Sequence, residues 1–157
     1  MSEQQANIEP VKMDFDKKFS EERGEWTERI RTIAIRMKNI RELAEVQVDL
    51  YSNRQLLLEY IAKLGQVMTK LNAKFRKDKA DRLKHYSENS QVKYGANEKT
   101  PLIDGDLSDL KERIDIVETQ ISFLNETMKT VDHMLYGVKS RISLEEYLRS
   151  GAVKNNY

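Results

Sequence analysis

The chain has 157 residues, of which 39% are hydrophobic and 34% are charged. This balance is typical of long amphipathic helices with solvated outer faces, and six Gly and two Pro are too few for the many turns of a sandwich or barrel. The lack of cysteine excludes disulfides and thiolate metal sites. We expect a soluble intracellular protein with no membrane partner, because the sequence shows neither a secretory signal nor a membrane-spanning apolar stretch.

The first 20 residues contain Pro10 and show no sustained hydrophobic period, so we interpret residues 1–20 as a flexible N-terminal arm. Beyond them, apolar residues recur at alternating steps of four and three, which predicts helices that each present one apolar stripe to a partner. The stripes run over residues 26–44, 57–75 and 110–138. After Phe75 the next stripe positions are Asp78 and Arg82, so the apolar surface is expected to end near Phe75.

Residues 87–109 are rich in Ser, Asn and Gly and include Pro101, so we interpret them as a long loop. Near the C-terminus, Ser143 with Glu146 predicts a separate capped helix over residues 143–150, followed by a tail at 153–157. The predicted fold is therefore all-α: one helical domain over residues 21–152, with long antiparallel helices, coiled-coil-like seams and a short C-terminal helix.

The three stripes offer more apolar surface than one helical hairpin needs, which predicts a homo-oligomer. The apolar residues of the predicted C-terminal helix are our candidates for the contact between subunits: Ile142, Leu144, Tyr147 and Leu148.

The formal net charge of +1 conceals two opposed regions. Between Lys70 and His85, the sequence contains seven Lys and Arg residues and two Asp residues, a charge excess of +5. Between Pro101 and Leu135, the sequence contains eight acidic residues and three basic residues, a charge excess of −5. The basic region begins where the apolar stripe ends and leads into the predicted loop.

Basic side chains neutralise phosphates, and flat side chains stack on unpaired bases, so this region suits single-stranded DNA better than duplex DNA. The predicted contact residues are Lys70, Lys74, Arg76, Lys77, Lys79, Arg82, Lys84, His85 and Tyr86. Two other interpretations stay open: a solvated helix face, or a face that pairs with the acidic third segment.

No residue pattern indicates catalysis, a cofactor or a metal site. His85 and His133 have no carboxylate cluster at metal-ligand spacing, and the single glycine near Lys93 does not make a phosphate-binding loop. The expected class is a binding or assembly protein rather than an enzyme.

Residues 40–152 resemble the UvsY family of phage recombination mediator proteins in the order and spacing of four short segments. These are Leu50-Tyr51-Ser52, then Arg82-Leu83-Lys84-His85-Tyr86-Ser87, then Val138-Lys139-Ser140-Arg141, and finally Ser150-Gly151-Ala152. The chain departs from the family by a longer N-terminal arm and by the uninterrupted acidic surface of its third helix.

The resemblance implies a helical, ring-forming homo-oligomer that binds single-stranded DNA in the host cell cytoplasm. It also implies two protein partners, a single-strand binding protein that is displaced and a RecA-like recombinase that is loaded. The family's basic DNA contacts precede the Arg-Leu-x-x-Tyr-Ser run, where Arg82 matches directly and Lys79 matches with a one-residue offset. The alternative is a structural coiled-coil protein of phage assembly or scaffolding with no DNA role.

Overall fold

The computed structural model describes the backbone of residues 12–154 and the side chains of residues 15–151. Over these residues it is helical without any strand, which confirms the predicted all-α class. The α-helices are α1 (Lys12–Arg36), α2 (Leu43–Lys84), α3 (Ala96–Asp106) and α4 (Ser108–Lys154). A 3-10 turn at Ile40–Glu42 precedes α2, and a π-helical turn at His85–Asn89 follows it.

The described residues form two compact units, and the first combines residues 12–60 with residues 123–154. Here α1 and the first part of α2 run antiparallel, because their side-chain contacts join positions whose numbers change in opposite directions. The Tyr60 hydroxyl donates to the Glu22 carboxylate, and Arg29 donates to Asn53 at 3.3 Å.

The last part of α4 also runs antiparallel to α2 in this unit. The Lys139 ammonium lies 5.6 Å from the centre of the Tyr51 ring, and Arg54 donates to Asp132 at 2.7 Å. The most deeply buried part of the core between the helices includes aliphatic side chains with no exposed surface, several of them seven residues apart. These are Val46, Leu50, Leu57, Leu124, Val131 and Val138.

The turn between α1 and α2 is fixed by Arg36, whose guanidinium pairs with the carboxylates of Glu42 and Asp49. Hydrogen bonds to Asp49 and Glu42 raise the pKa of Arg36, while the hydrogen bonds from Arg36 and Asn39 lower the pKa of Glu42. Because α1 ends at Arg36, Ile40 falls in the turn and Ala44 on an exposed face of α2, so the first apolar stripe does not continue to residue 44 as predicted.

The second unit comprises residues 61–122: the second part of α2, all of α3 and the first part of α4. Its buried aliphatic residues come from all three helices and from the junction of α3 with α4: Leu64, Ile103, Leu107, Leu110 and Val117. The core thins out along α2, where Met68, Leu71 and Phe75 are half-buried.

The segment 87–109 is not the predicted loop, because α3 occupies half of it. The Glu98 carboxylate accepts the backbone N–H of Gly95 at 2.9 Å and caps the start of α3. Asn97, Pro101 and Gly105 are weak helix formers, so local propensity predicts no helix here. Burial of Ile103 and Leu107 compensates for that weakness.

The prediction of a separate C-terminal helix over residues 143–150 is also wrong, because α4 continues without a break from Ser108 to Lys154. A serine caps a helix only where the preceding chain leaves the helical conformation, and no proline near Ser143 forces that. Gly151 has no left-handed backbone angle and does not stop the helix.

The predicted arm over residues 1–20 is helical from Lys12 onward, and Phe19 is only 3% exposed. Phe19, Trp26 and Ile33 lie seven residues apart, a helical repeat that extends the stripe back into the segment interpreted as an arm. Residues 1–11 of the predicted arm and residues 155–157 of the predicted tail lie outside the described residues.

Candidate nucleic-acid interface

Four of the predicted DNA contacts share one face of α2 in the second unit. Lys70, Lys74, Lys77 and Lys84 follow one another at steps of four, three and seven, a spacing that keeps side chains on the same side of a helix. All four are exposed. We call them the lysine stripe; at 1.5 Å per residue it extends about 21 Å along α2.

The lysine stripe is unpaired within the part of the chain that the structure describes. None of its four ammonium groups forms an ion pair or a hydrogen bond with another residue in the described part of the chain. The face does not pair with the acidic surface of α4, which was one interpretation left open by the sequence. Its four positive charges are available to an external anion.

The other two basic residues of the outer surface point elsewhere. Arg76 and Lys79 are exposed, but each lies one or two residues from members of the stripe, a spacing that directs side chains away from one another on a helix. The predicted set is therefore not one surface, and Arg76 and Lys79 flank α2 separately from the stripe.

Arg82 and Tyr86 are both engaged with the end of α3. The Tyr86 hydroxyl donates to the Asp106 carboxylate at 2.8 Å, and Arg82 Nε lies 3.6 Å from the same oxygen. The hydrogen bond to Asp106, with partial burial, raises the pKa of Tyr86 above its ordinary value. These two predicted DNA contacts tie α3 to α2 in this structure.

Tyr86 also belongs to a small aromatic cluster. Its ring makes edge-to-face contacts with His85, at a centroid distance of 5.3 Å, and with Tyr94, at 5.7 Å. Tyr86 and Tyr94 are half-buried, whereas His85 is exposed. Of the predicted flat side chains, His85 is the one whose ring is most accessible for stacking.

A groove of about 550 Å³ lies beside the lysine stripe, within the second unit. It is lined by residues of α2, the end of α3 and the start of α4, with a mixture of charges. The basic and imidazole side chains are Lys74, Arg82, His85 and Arg113, the acidic ones are Asp78, Asp81, Asp106 and Asp109, and the apolar ones are Leu107 and Leu110.

The predicted subunit-contact residues are exposed in the single chain, apart from half-buried Ile142. Leu144, Tyr147 and Leu148 are 56%, 73% and 55% exposed. Burying large apolar side chains removes them from water, so this end of α4 is suited to contact with another surface.

Besides the exposed end of α4, α2 has an exposed apolar face that the sequence analysis does not predict. Val48, Tyr51 and Leu58 are 67%, 46% and 39% exposed and follow one another at steps of three and seven. The sequence does contain a pattern for this face, because its three residues form a stripe separate from the one that contains buried Leu50 and Leu57. A regular period indicates a shared face, but it does not distinguish a face buried within one chain from one left exposed.

No protein-family model, curated protein or solved structure matches this chain. Among the described residues, none of the helices has the length and apolar character required to cross a membrane. The same part of the chain contains no group of three or more His, Cys, Asp or Glu residues arranged to hold a metal ion.

Proposed function

We propose that this protein binds single-stranded DNA through the lysine stripe and acts as a recombination mediator rather than as an enzyme. In this role it helps load a RecA-like recombinase onto strands covered by single-strand binding protein, in the cytoplasm of a phage-infected host. One observation carries the DNA-binding part: four exposed lysines on one helix face have no ion-pair or hydrogen-bond partner among the described residues.

The stripe suits the backbone of one strand. Neighbouring members are separated along the helix axis by about 5–10 Å, and each ammonium can neutralise one phosphate and release counterions. A single straight helix contacts one backbone without needing the groove geometry of a duplex. Arg76 and Lys79 on the flanks, and His85 at the end, can add contacts to a strand that bends around α2.

The exposed apolar residues support the proposal of self-assembly. Leu144, Tyr147 and Leu148 on α4 supply one surface, and the face of α2 that contains Val48, Tyr51 and Leu58 supplies another. Two different surfaces that complement each other produce a head-to-tail contact, which closes into a ring when the rotation permits. We propose that coiled-coil-like seams between subunits cover these faces.

The partner proteins rest on the resemblance to recombination mediators in the segments around Tyr51, Arg82, Lys139 and Gly151. A ring that holds a strand by many weak phosphate contacts is suited to exchange that strand between proteins, because individual contacts release and reform easily. The proposed sequence of events is displacement of single-strand binding protein, followed by loading of the recombinase.

The test is salt-dependent binding to a labelled single strand, measured by fluorescence anisotropy. The stripe variant changes Lys70, Lys74, Lys77 and Lys84 to glutamine. The matched control changes four exposed, unpaired lysines elsewhere to glutamine and so has the same net charge: Lys18, Lys38, Lys63 and Lys111.

We expect the stripe variant to reduce the slope of log affinity against log salt by up to about 3, at roughly 0.7 per phosphate contact. The control should retain most of the slope, and both should retain wild-type helicity by circular dichroism. Equal loss in both variants would assign binding to overall charge. Negligible binding by the wild-type protein would favour the scaffolding role.

A further inference from the structure

The groove beside the lysine stripe is continuous with it through two residues. Lys74 belongs to the stripe and also lines the groove. Asp81 lines the groove and occupies the stripe position four residues after Lys77 and three before Lys84. A strand whose phosphates lie on the stripe therefore passes along the edge of the groove.

The carboxylates in the lining of the groove disfavour phosphates. Four carboxylates line it against three Lys and Arg side chains, and each carboxylate repels a phosphate backbone. Asp106 already accepts the Tyr86 hydroxyl and faces Arg82. Asp78 and Asp81, in contrast, form no ion pair or hydrogen bond with any other described residue. Their oxygens are free acceptors at the edge of a DNA-binding face.

The same lining suits unpaired bases. Exocyclic amino groups of bases are hydrogen-bond donors, and carboxylates accept from cytosine amino groups in protein–DNA recognition. Leu107 and Leu110 give the groove apolar contact surface, and the exposed ring of His85 lies at its edge. Its volume of about 550 Å³ is within the range of sites for small organic ligands.

We propose that this groove receives unpaired bases of the bound strand, with Asp78 and Asp81 accepting hydrogen bonds from base amino groups while the phosphates lie on the lysine stripe. This inference rests on the proposed DNA binding. It makes the two aspartates selectivity residues: in a duplex the bases are stacked and paired, so they cannot enter the groove, and the carboxylates meet mainly phosphates and disfavour binding. It also favours cytosine over thymine, which has a carbonyl acceptor in place of the amino group.

The experiment compares strands of about twelve nucleotides, within the range that single-strand sites cover. The three probes are oligo-dC, oligo-dT and an abasic strand with the same number of phosphates, all at neutral pH. The proteins are the wild type, Asp81→Asn and the double variant D78N/D81N. The matched control is D104N/E118Q, which neutralises two exposed, unpaired acids of the same unit that do not line the groove.

For the wild type we expect oligo-dC to bind more tightly than oligo-dT by about three- to tenfold, the effect of one charge-assisted hydrogen bond partly screened by water. The abasic strand should bind most weakly. In D78N/D81N the ratio between oligo-dC and oligo-dT should fall to about one, and Asp81→Asn should give an intermediate ratio. The control should tighten binding of all three probes to a similar extent and leave the ratio unchanged, because it alters only the long-range field.

The outcomes separate the two proposals. If the wild type binds all three probes equally, or if D78N/D81N retains the preference for oligo-dC, the groove does not receive bases, although binding through the stripe stands. If the wild type binds none of the probes, both proposals are wrong. Duplex of the same length gives a further readout, since D78N/D81N should gain more affinity for duplex than for oligo-dC.

Discussion

The first and second halves of α2 share one helical geometry but place different residues on it. From Leu43 to Leu64, every buried position except Asn53 is a large aliphatic residue, and Val46, Leu50 and Leu57 are fully buried. From Lys70 to Lys84, no residue is fully buried and four lysines occupy one exposed face. The first half is stabilised by packing, whereas the second has charge free to interact outside the chain.

This difference indicates how one continuous helix can combine stability and binding. Packing restricts residues of the first half to a few sizes and shapes. The second half has a thinner core, so its sequence is free to place like charges side by side. Like charges at steps of three and four destabilise a helix slightly, and this cost is more acceptable when a ligand neutralises them.

The largest expected effect tests whether the basic half of α2 is sufficient alone for tight binding of single-stranded DNA. A single stripe holds few phosphates, but several stripes in an assembly make later contacts intramolecular and raise apparent affinity by roughly 10²–10⁴. Changing Leu144, Tyr147 and Leu148 to serine should therefore abolish most of the gain between strands of about 8 and about 40 nucleotides. Anisotropy titrations measure the gain, and light scattering measures subunit number.

The control for this triple change is Val92→Ser, at an apolar residue that is 57% exposed outside the proposed contact. It should preserve both the assembly and the length dependence. Tight binding of long strands by a triple variant shown to be monomeric would separate DNA binding from self-assembly and contradict this part of the proposal.

The next effect concerns stability in the packed half of α2. Leu57 is fully buried, and its neighbour Leu58, about 100° further around the helix, is 39% exposed. Leu57→Ala should lower the free energy of unfolding by about 2–5 kcal/mol, the usual cost of a buried leucine. Leu58→Ala should change it by roughly 0.5 kcal/mol or less in the single chain.

Urea denaturation followed by circular dichroism measures both variants. Similar losses for Leu57→Ala and Leu58→Ala would show that the face containing Leu58 is also buried in solution. A concentration-dependent loss confined to Leu58→Ala would place that face in the contact between subunits.

Much of the helical packing was predictable from the sequence because burial follows the periodic spacing of apolar residues. Leu57, Leu64, Val117 and Leu124 lie on predicted stripes and are buried. The predicted burial is wrong where few residues carry the period. Phe19 belongs to a repeat with Trp26 and Ile33, but the six residues between Phe19 and Trp26 include no hydrophobic residue, so the sequence predicts an arm at the start of α1.

The candidate site was predictable only in part. Helical spacing alone places Lys70, Lys74, Lys77 and Lys84 on one face. The partner of Tyr86 was not predictable, because Asp106 is 20 residues away in a segment with weak helix formers. Long-range contacts of this kind depend on tertiary packing, here of Ile103 and Leu107, which local sequence patterns do not encode.

The smallest expected effect concerns the contact between α3 and the end of the basic half. The hydrogen bond from Tyr86 to Asp106 requires a protonated Tyr86 hydroxyl, and the folded protein raises the pKa of Tyr86. The contribution of this hydrogen bond to stability is therefore fully present below the unfolded pKa of about 10, and it is lost as pH rises through the raised pKa of the folded protein. Tyr86→Phe should remove it at all pH values.

Hydrogen exchange of the α3 amides measures this contact. At neutral pH, Tyr86→Phe should lower their protection, and the difference from wild type should vanish above the raised pKa, where the phenolate no longer donates. Intrinsic exchange accelerates with pH in both proteins, so the variant is the reference at each pH. Because phenylalanine keeps the ring, single-strand binding should be unchanged if Tyr86 only holds α3 or only stacks on bases. A loss of binding with Tyr86→Phe would mean instead that the position of α3 controls access to the groove, and that Asp106 acts on DNA binding through Tyr86.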